Sequence, residues 1–377
     1  MIMKNIVFIN SKSQINRITS NILQALKSKG YNICVVSKAN KFIYELKLDI
    51  CNIGQIYVGP NLERKLNQFF FLSVYLFLII IWFFKILFSK KIKKSKIFIL
   101  NNCNEKLIIT PLAKFFKLKI IWLEEPDIDY FRKAKLILFL FKFLSKSAEV
   151  IIFLEKDKIK LKKIGVKEDG IKLLSPGIFL NQYTHQDSIF STIARTERNS
   201  MVRKYFTVGI VTNFKNPNQI ENLFQAIKKS VSVVPNIQLI IVGDGEERRQ
   251  YLWIARKLEI NNLVWFVGEQ SNMRKWFDNL DIFISVPEIL NLDNIEVVEK
   301  AMESKLPVIG FRNLGLEDLL DENILLEFNN SEVLAEEIIK LYKDRQVRKK
   351  IGENNFKIVK DKFDINIAIE RLEKLFI

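Results

Sequence analysis

The stretch LIIVGDG (residues 239–245) and the stretch DIFISVPEILNLDNIEVVEKAMESKLPVIG (residues 281–310) decide the fold. Both contain short, continuous runs of Val, Ile, Leu and Phe that end at a turn, which is typical of strands buried on both faces of a parallel sheet. In the second stretch, two such runs bracket a carboxylate-bearing helical segment. Because open parallel sheets bind ligands beyond the carboxyl ends of their strands, we expect chemistry in the loop and helix after Val286.

The alternation of apolar runs with helical segments continues in both directions from this stretch. Further runs of this kind occupy residues 5–9, 32–36, 96–100, 119–126, 148–156, 207–211 and 263–268. Alternation of this kind predicts the α/β class, with parallel sheets covered by helices on both faces.

The length of the chain predicts two domains, because 377 residues exceed what one core usually supports. The polar, weakly periodic segment at residues 186–204 is typical of a linker. We therefore assign residues 1–185 to a first domain and residues 205–360 to a second. Residues 361–377 form a predicted C-terminal helix, which can pack back on the first domain.

Positive charge dominates the composition. Lys and Arg number 59 against 42 Asp and Glu, which gives a formal charge of +17. Such a charge favours an acidic partner: nucleic acid, an anionic membrane surface or a phosphorylated substrate. The abundance of Lys, Ile, Asn and Phe is equally expected from an A/T-rich coding sequence, so charge alone does not choose among these. No nucleic-acid recognition motif accompanies it, which makes nucleic acid the weakest of the three.

Cysteine and histidine are scarce. Cys34, Cys51 and Cys103 have no paired spacing, and His185 is the single histidine. This pattern argues against a disulfide framework or a zinc site and fits a reducing compartment. Because the N-terminus leads directly into a predicted strand, we expect a cytoplasmic protein. The first turn, NSKSQIN (residues 10–16), contains no glycine, so we expect no dinucleotide cofactor.

The most unusual composition is the apolar run FFFLSVYLFLIIIWFF at residues 69–84, followed by Lys85 and a cluster of lysines at residues 90–96. A membrane-spanning helix needs about 20 apolar residues, so the run is nearly long enough. A single crossing would place the predicted strands at residues 5–9 and 96–100 on opposite sides of the bilayer. Two alternatives remain open: a buried crossover helix and a helix lying on a membrane surface.

A second segment, KAKLILFLFKFLSKS at residues 133–147, favours the membrane. Lys135, Lys142 and Lys146 are separated by seven and four residues, which places them within roughly 20° of one line on a helix. A narrow lysine stripe beside a broad apolar face suits an anionic headgroup layer. The alternative is an ordinary domain helix with one wet edge.

Five segments, taken in order, resemble the retaining glycosyltransferases of family 4. They are AEVIIFLEKDKIKLKKIGVKEDGIKLLSPGI (148–178), TVGIVTNFKNPNQIENLFQAI (207–227), PNIQLIIVGDGEERRQYLWIARKLEINNLVWFVGEQ (235–270), KAMESKLPVIG (300–310) and IGENNFKIVKDKFDINIAIERLEKLF (351–376). The resemblance implies the GT-B fold, with two Rossmann-like domains facing across a cleft. It also implies sugar transfer from a nucleotide diphosphate donor, without an essential metal or cofactor.

The resemblance assigns the donor site to the second domain. The family's diphosphate-binding Arg and Lys correspond to Asn213 and Asn218, with Lys215 between them. The further donor-side candidates are Gly243, Gly268, Glu269, Gln270, Asn294, Ile295 and Glu299. Of these, residues 268–270 are expected near the base, and the amides around Glu296 near the diphosphate.

The family's E-x7-E carboxylate pair has two possible registers here. Glu288 and Glu296 have the spacing, whereas alignment on KAMESKLP places the second carboxylate at Lys300 or Glu299. Glu296 also has a structural interpretation, because Asp293 and Glu296 fit a capping box at the start of a helix. Glu288 has the alternative of a solvated loop charge.

The acceptor side is assigned to the first domain, where the family's glycine pair and histidine have no counterpart. Glu124 and Glu125 end a predicted strand, and either can orient an acceptor hydroxyl or act as a base. A surface pair before Pro126 is the structural alternative. Ser11 and Asn16, in the first turn, are the other acceptor-side candidates.

The sequence therefore predicts a metal-independent, retaining glycosyltransferase at the cytoplasmic membrane face. Its partners would be a nucleotide diphosphate sugar, a lipid-linked or glycan acceptor and an anionic membrane surface, with Glu288, Glu296 and Glu124 as catalytic candidates. The rival hypothesis is a catalytically silent relative that binds a glycan, a lipid or a partner enzyme, and the departures from the family motifs motivate it.

Overall fold

The computed structural model describes most of the chain, in two compact units. The described residues are 5–11, 16–37, 51–52, 57–60, 62, 64–124, 133–180, 205–215, 217–270, 272–286, 292–312, 316, 320, 325–327 and 330–376. The first unit contains Met1–Ile178 and Ile365–Ile377, and the second contains Phe179–Asp364.

The first unit is built on a parallel sheet of seven strands in the order β3-β2-β1-β4-β5-β6-β7. These strands are β1 (Asn5–Asn10), β2 (Asn32–Ser37), β3 (Cys51–Asn52), β4 (Ile97–Leu100), β5 (Lys119–Leu123), β6 (Glu149–Ile152) and β7 (Ile171–Leu173). The central strands are continuous runs of buried apolar residues, as expected for a sheet covered on both faces.

The second unit has a parallel sheet of six strands in the order β10-β9-β8-β11-β12-β13. They are β8 (Phe206–Val211), β9 (Ile237–Val242), β10 (Val264–Gly268), β11 (Ile282–Ile284), β12 (Val308–Phe311) and β13 (Leu325–Leu326). β8 pairs along its whole length with β9, from Phe206 opposite Ile237 to Val211 opposite Val242.

Thirteen described helices connect and cover the strands. In chain order they are α1 (Arg17–Ser28), α2 (Lys65–Phe88), α3 (Lys90–Lys93), α4 (Cys103–Phe115), α5 (Lys135–Ser145), α6 (Glu155–Lys163), α7 (Pro217–Ser230), α8 (Arg248–Lys257), α9 (Met273–Phe277), α10 (Leu292–Glu303), α11 (Ser331–Lys343), α12 (Arg345–Lys362) and α13 (Ile365–Lys374). A short 3₁₀ turn, Glu168–Gly170, precedes β7. The sequence prediction of strand-helix alternation is thus confirmed.

The C-terminal helix α13 belongs to the first unit and packs on α1. Tyr31, just after α1, donates from its hydroxyl to Glu373 (2.9 Å), and Lys29 forms an ion pair with the same carboxylate (3.0 Å). The Gly177 backbone has a positive φ and lies against Ile365 and Ala368, where a Cβ atom would come within 2.7 Å of the Ile365 side chain. These contacts fix the last helix to the first sheet's unit.

Helix α2 contains the predicted apolar run but is longer than it at both ends. One stripe of α2 packs into the core of the first unit, through Phe71, Leu78, Trp82 and Ile86. Tyr75 donates to the backbone carbonyl of Leu107 in α4 (2.9 Å). By length and composition this 24-residue helix, with a mean hydropathy of 2.5 over its most apolar window, is long and apolar enough to cross a membrane.

Helix α5 corrects the predicted picture of a lysine stripe beside a broad apolar face. Its main apolar side, with Ile137, Phe141 and Leu144, is buried in the core. Lys135, Lys142 and Lys146 are exposed, as predicted, and the exposed face that they share carries only three large apolar side chains: Leu136, Phe139 and Phe143. Most of the apolar character of α5 therefore serves the fold.

Candidate functional site

Each sheet has one point at which the order of the strands reverses. In the second unit the chain runs from β8 through β9 to β10 in one direction, and β11 then returns to the other side of β8. The neighbouring strands β8 and β11 are therefore connected onward in opposite directions, and open α/β sheets bind ligands at the carboxyl ends of such a strand pair. Helices α7 and α10 both begin after this edge.

The loop after β8 is held in a tight conformation by one buried aromatic side chain. Phe214 has φ of 53°, in the left-handed region, and its amide donates to Thr212 Oγ1 (3.1 Å). The Phe214 ring is fully buried against Tyr251, with ring centroids 4.7 Å apart. This anchor leaves Lys215 exposed beside the beginning of α7. Pro217 opens α7, where its fixed φ and missing N–H suit the first helical position.

Two glycines bring the loop after β9 against the loop after β8. A Cβ atom on Gly243, whose φ is 122°, would lie 1.9 Å from the Thr212 carbonyl oxygen. A Cβ on Gly245 would lie equally close, 1.9 Å, to the Asn213 carbonyl oxygen. The predicted donor-side residues Asn213 and Gly243 are thereby placed in adjacent loops. Only glycine permits this approach of the two backbones.

The turn after β10 joins the same edge. The Gly243 amide donates to the Gly268 carbonyl (2.9 Å), and Gly268 has φ of 72°. Glu269 is exposed, and the Gln270 side chain donates to the Val267 carbonyl (2.8 Å). The structure thus brings the predicted base-side residues to one edge with Asn213 and Lys215.

Helix α10 corrects the predicted capping box. The helix begins at Leu292, so Asp293 lies inside it rather than at its cap. Glu296 forms an ion pair with Lys300, one turn further on (2.8 Å), and both side chains are largely buried. The Ile295 side chain is buried in the core, so only its backbone is available to a ligand.

Glu299 is the most unusual carboxylate of the second unit. It is completely buried, and neither carboxylate oxygen has a hydrogen-bond partner among the described residues. Burial raises the pKa of the Glu299 carboxyl well above its usual range; nearby Glu296 adds to the rise and Lys300 opposes it. A protonated carboxyl group can donate as well as accept a hydrogen bond, which suits it to sugar or ribose hydroxyls.

In the first unit the strand order reverses between β1 and β4, and side chains of this unit bond to one another and to the backbone there. Glu105, fully buried in α4, accepts from the backbone amides of Ser11, Asn101 (3.1 Å) and Asn102 (3.0 Å). The Asn102 side chain also donates to Asn10 Oδ1 (2.8 Å). Burial raises the pKa of the Glu105 carboxyl, and the bonds from Asn102 and Ser11 oppose that rise. Glu105 therefore ties the two loops together.

Glu124 is not the exposed strand-end carboxylate that the sequence predicted. Its side chain is 2% exposed and forms an ion pair with the equally buried Lys106 (2.7 Å). Lys106 also donates to the Leu123 carbonyl (2.6 Å) and lies over the Trp122 ring. Since the end of β5 is covered by α4, the carboxylate is charge-balanced inside the unit. A positioning role suits Glu124 better than that of a free base.

The two other described acceptor-side candidates serve backbone structure. Asn16 caps α1, accepting from the Thr19 amide (2.8 Å), and Ser11 donates its amide to Glu105. Glu288, Glu125 and His185 lie outside the described residues. Asn218 and Asn294 lie within α7 and α10, where the described part of the chain does not extend to their side chains.

Sequence reasoning missed five residues of the first unit's polar cluster: Asn10, Asn101, Asn102, Glu105 and Lys106. A signal was available, because Asn102-Cys103-Asn104-Glu105 has the spacing of a capping box, which the structure shows. In the second unit it missed Gly245, although the Gly-Asp-Gly turn is visible in the sequence. The described residues contain no group of three or more His, Cys, Asp or Glu side chains arranged for a metal ion.

Comparison with known families matches residues 191–358 to a family described as "Glycosyl transferases group 1". The match covers the strands and loops of the second unit's reversal point. The second unit therefore resembles the group 1 glycosyltransferases in sequence. This match confirms the predicted resemblance of the second domain to glycosyltransferases.

Two curated relatives agree with that assignment. N-acetyl-alpha-D-glucosaminyl L-malate synthase of Bacillus anthracis is 27% identical over 171 residues, which are 44% of this chain and 44% of that protein. The capsular polysaccharide biosynthesis glycosyltransferase CapM of Staphylococcus aureus is 26% identical over 195 residues, 48% of this chain and 50% of CapM. The chain thus matches about half the length of these relatives.

A solved structure resembles the whole chain. Anabaena HepE, crystallised in complex with UDP, superposes with a TM-score of 0.73 at 16% identity, covering 99% of each chain. At this identity the likeness concerns the fold, and it confirms the predicted GT-B class of two Rossmann-like domains.

Proposed function

We propose that the protein transfers a sugar from a nucleotide diphosphate sugar to a lipid-linked or cell-surface glycan acceptor. One observation carries the proposal: the reversal point of the second sheet lies in the segment that matches the group 1 glycosyltransferases, and it brings Lys215, the start of α7 and the Gly243–Gly245 turn to one edge. Because glycine has no side chain, a nucleotide could approach the backbone of this turn closely.

The chemistry of the reaction explains why such an edge is useful. The bond between the anomeric carbon and the diphosphate oxygen breaks, and its electron pair leaves with the nucleoside diphosphate. The acceptor hydroxyl oxygen bonds to the same carbon, and its proton passes to an oxygen of the departing diphosphate. Negative charge develops on the leaving group, and Lys215 together with the first amides of α7 would stabilise it. Retention of the anomeric configuration and independence from a metal are parts of the proposal.

Glu299 and the Glu296–Lys300 pair are assigned to hydroxyl groups of the donor. The buried, protonated Glu299 has no hydrogen-bond partner among the described residues, and it would bond to a ribose or sugar hydroxyl of the donor. The residues at 268–270 would face the base. Ser11, Asn16 and Glu125 are assigned to the acceptor, with the protein located at the cytoplasmic face of a membrane. The role of the relative CapM in capsular polysaccharide biosynthesis supports a glycan acceptor.

One observation favours a second candidate function, a silent relative that binds a glycan, lipid or partner enzyme. Asn213 and Asn218 stand where the family resemblance places an Arg and a Lys. Without these charges the diphosphate would depend on Lys215 and helix amides.

A panel of nucleotide sugars, with UDP-sugars first, distinguishes the two candidates. The purified chain is tested for a rise in melting temperature and for donor hydrolysis, with and without anionic vesicles and extracted lipid acceptors. The glycosyltransferase proposal expects at least one donor to stabilise the protein and to be turned over, including in EDTA. If no donor does either, the silent relative is the better description.

A further inference from the structure

The outer face of α2 is apolar along most of its length. Its exposed large side chains recur at helical spacing on one side of the helix, interrupted by the exposed Ser73, and form one stripe: Leu66, Phe69, Phe70, Leu76, Phe77, Ile80, Ile81, Phe84, Leu87 and Phe88. The stripe extends for roughly 33 Å along the helix. A helix on the surface of a soluble domain normally turns polar residues outward. An apolar stripe of this size marks an interaction surface.

The neighbouring helices α4 and α5 also expose apolar side chains. Helix α4 contacts α2 on one side and α5 on the other, and is buried almost to its end. There Phe115 is 70% exposed, with its ring 6.0 Å from that of Phe83. Leu136, Phe139 and Phe143 of α5 are exposed as well. We call the exposed apolar side chains of α2, Phe115 and these three residues the outer apolar surface.

The two segments that form most of the outer apolar surface contain basic side chains and no acidic ones. Residues 65–96 contain seven lysines and neither Asp nor Glu, and residues 133–147 contain four lysines and no acid. Lys90, Lys91, Lys93, Lys94 and Lys96 are exposed at the end of α2. Among the described residues, no carboxylate lies within ion-pair distance of these five side chains. Apolar area with an unneutralised basic rim is complementary to one class of partner, an anionic lipid surface.

We propose that the outer apolar surface docks on the headgroup layer of an anionic bilayer, with α2 lying in the plane of the membrane. The aromatic and aliphatic side chains enter the boundary between headgroups and acyl chains, and the lysines contact lipid phosphates. The proposal rests on the proposed function in one respect, because it supplies the surface through which a lipid-linked acceptor would be reached. Membrane binding itself requires no sugar transfer.

Two observations favour this orientation over the alternatives. The inner stripe of α2, with Phe71 and Trp82 completely buried, packs on a sheet whose strand β4 follows within ten residues and pairs with β1. A spanning α2 would have to leave that core. A symmetric dimer through the same surface would bring two basic rims together, because an isologous interface pairs each patch with itself.

Vesicle cosedimentation of the full chain tests the proposal. Vesicles of phosphatidylcholine, alone or mixed with phosphatidylglycerol, are combined with wild type and with the triple variant Phe77→Ser, Ile80→Ser, Phe84→Ser. The exposed positions should tolerate the change. We expect binding to the anionic vesicles that weakens with salt, and a loss of about tenfold or more in the variant, from three large apolar side chains. The matched control, Trp253→Ser with Trp265→Ser, removes exposed aromatics of the second unit and should bind like wild type.

A second variant tests the basic rim. Replacing Lys90, Lys91, Lys93 and Lys94 by Gln should weaken binding to phosphatidylglycerol vesicles and reduce its salt dependence. The proposal is overturned if wild type stays in the supernatant at low salt, or if the triple variant binds equally well. It is also overturned if the triple variant converts a dimer into a monomer, or if alkaline carbonate fails to extract the protein from membranes. Donor binding, measured on the same samples, separates failure of this proposal from failure of the proposed function.

Discussion

The two sheets reverse their strand order in the same way but treat the resulting edge differently. In the first unit, between β1 and β4, Glu105 and three asparagines bond to one another and to the loop backbones. In the second, between β8 and β11, glycines bring the loops together and a nearby buried carboxyl, Glu299, has no partner among the described residues. The polar groups of the first edge therefore stabilise the fold, whereas Glu299 of the second unit is able to bond to a ligand.

The ion pair of the first unit gives the largest expected effect. Lys106→Met breaks the buried ion pair with Glu124, which typically costs about 3–5 kcal/mol. Urea denaturation should show a correspondingly lower midpoint, and the double variant Lys106→Met, Glu124→Gln should recover part of the loss. A single variant as stable as wild type would show that the pair is not part of the fold's support.

The glycine turn of the second unit comes next. Gly245→Ala places a Cβ atom 1.9 Å from the Asn213 carbonyl, so the loop after β8 must shift. We expect a loss of about 1–3 kcal/mol in stability, together with weaker nucleotide binding. Gly170→Ala, in the first unit, is the matched control, since its φ lies outside the left-handed region and the nearest atom, the Ala148 carbonyl oxygen, is 4.0 Å from the added Cβ. If Gly245→Ala bound the donor with unchanged affinity, the turn would not be part of the donor site.

Lys215→Ala should affect catalysis without affecting the fold. Lys215 is exposed, so its removal leaves no cavity. Loss of one charge-assisted contact to a diphosphate, about 1.5–3 kcal/mol, corresponds to a roughly 10- to 100-fold lower kcat/KM. Lys343→Ala, an exposed lysine on α11, serves as the control and should match wild type. Equal kcat/KM in both variants would remove Lys215 from the site.

Glu299→Gln tests the buried carboxyl of the second unit and has the smallest expected effect. It should raise stability and weaken donor binding. The raised pKa means that the folded protein holds a proton that the unfolded chain releases, so wild type loses stability as pH rises above the usual carboxyl range. The neutral amide removes this loss. We expect a Tm higher by roughly 2–4 °C at pH 7.5, no difference near pH 4, and weaker donor binding. A pH-independent difference would contradict a buried, protonated Glu299.

The sequence predicted most of the fold because buried parallel strands leave a direct signal. The runs at β1, β8 and β9 are continuous and apolar, and turns bound them. Helix α2 shows the limit of that signal: both of its stripes are apolar, so periodicity does not distinguish the buried one from the exposed one. Only packing against α4 and the sheet decides which is which.

The sequence predicted where the candidate site lies, but it did not predict the contacts that the carboxylates make. The strand ends and the Gly-Asp-Gly turn identified the edge of the second sheet. The partners of carboxylates depend on contacts distant in sequence, and Lys106 with Glu124 is one such pair. Glu296 presented the opposite difficulty, since a helical ion pair with Lys300 and a capping box use similar spacings.

Hydrogen exchange of the full chain, with and without a nucleoside diphosphate, compares the two edges most directly. The account predicts that the nucleotide slows exchange at residues 212–215, 243–247 and 268–270. Residues 9–11 and 101–106, where the first unit's loops are already bonded, should exchange at an unchanged rate. Protection confined to the first unit, with none in the second, would contradict the assignment of the donor site.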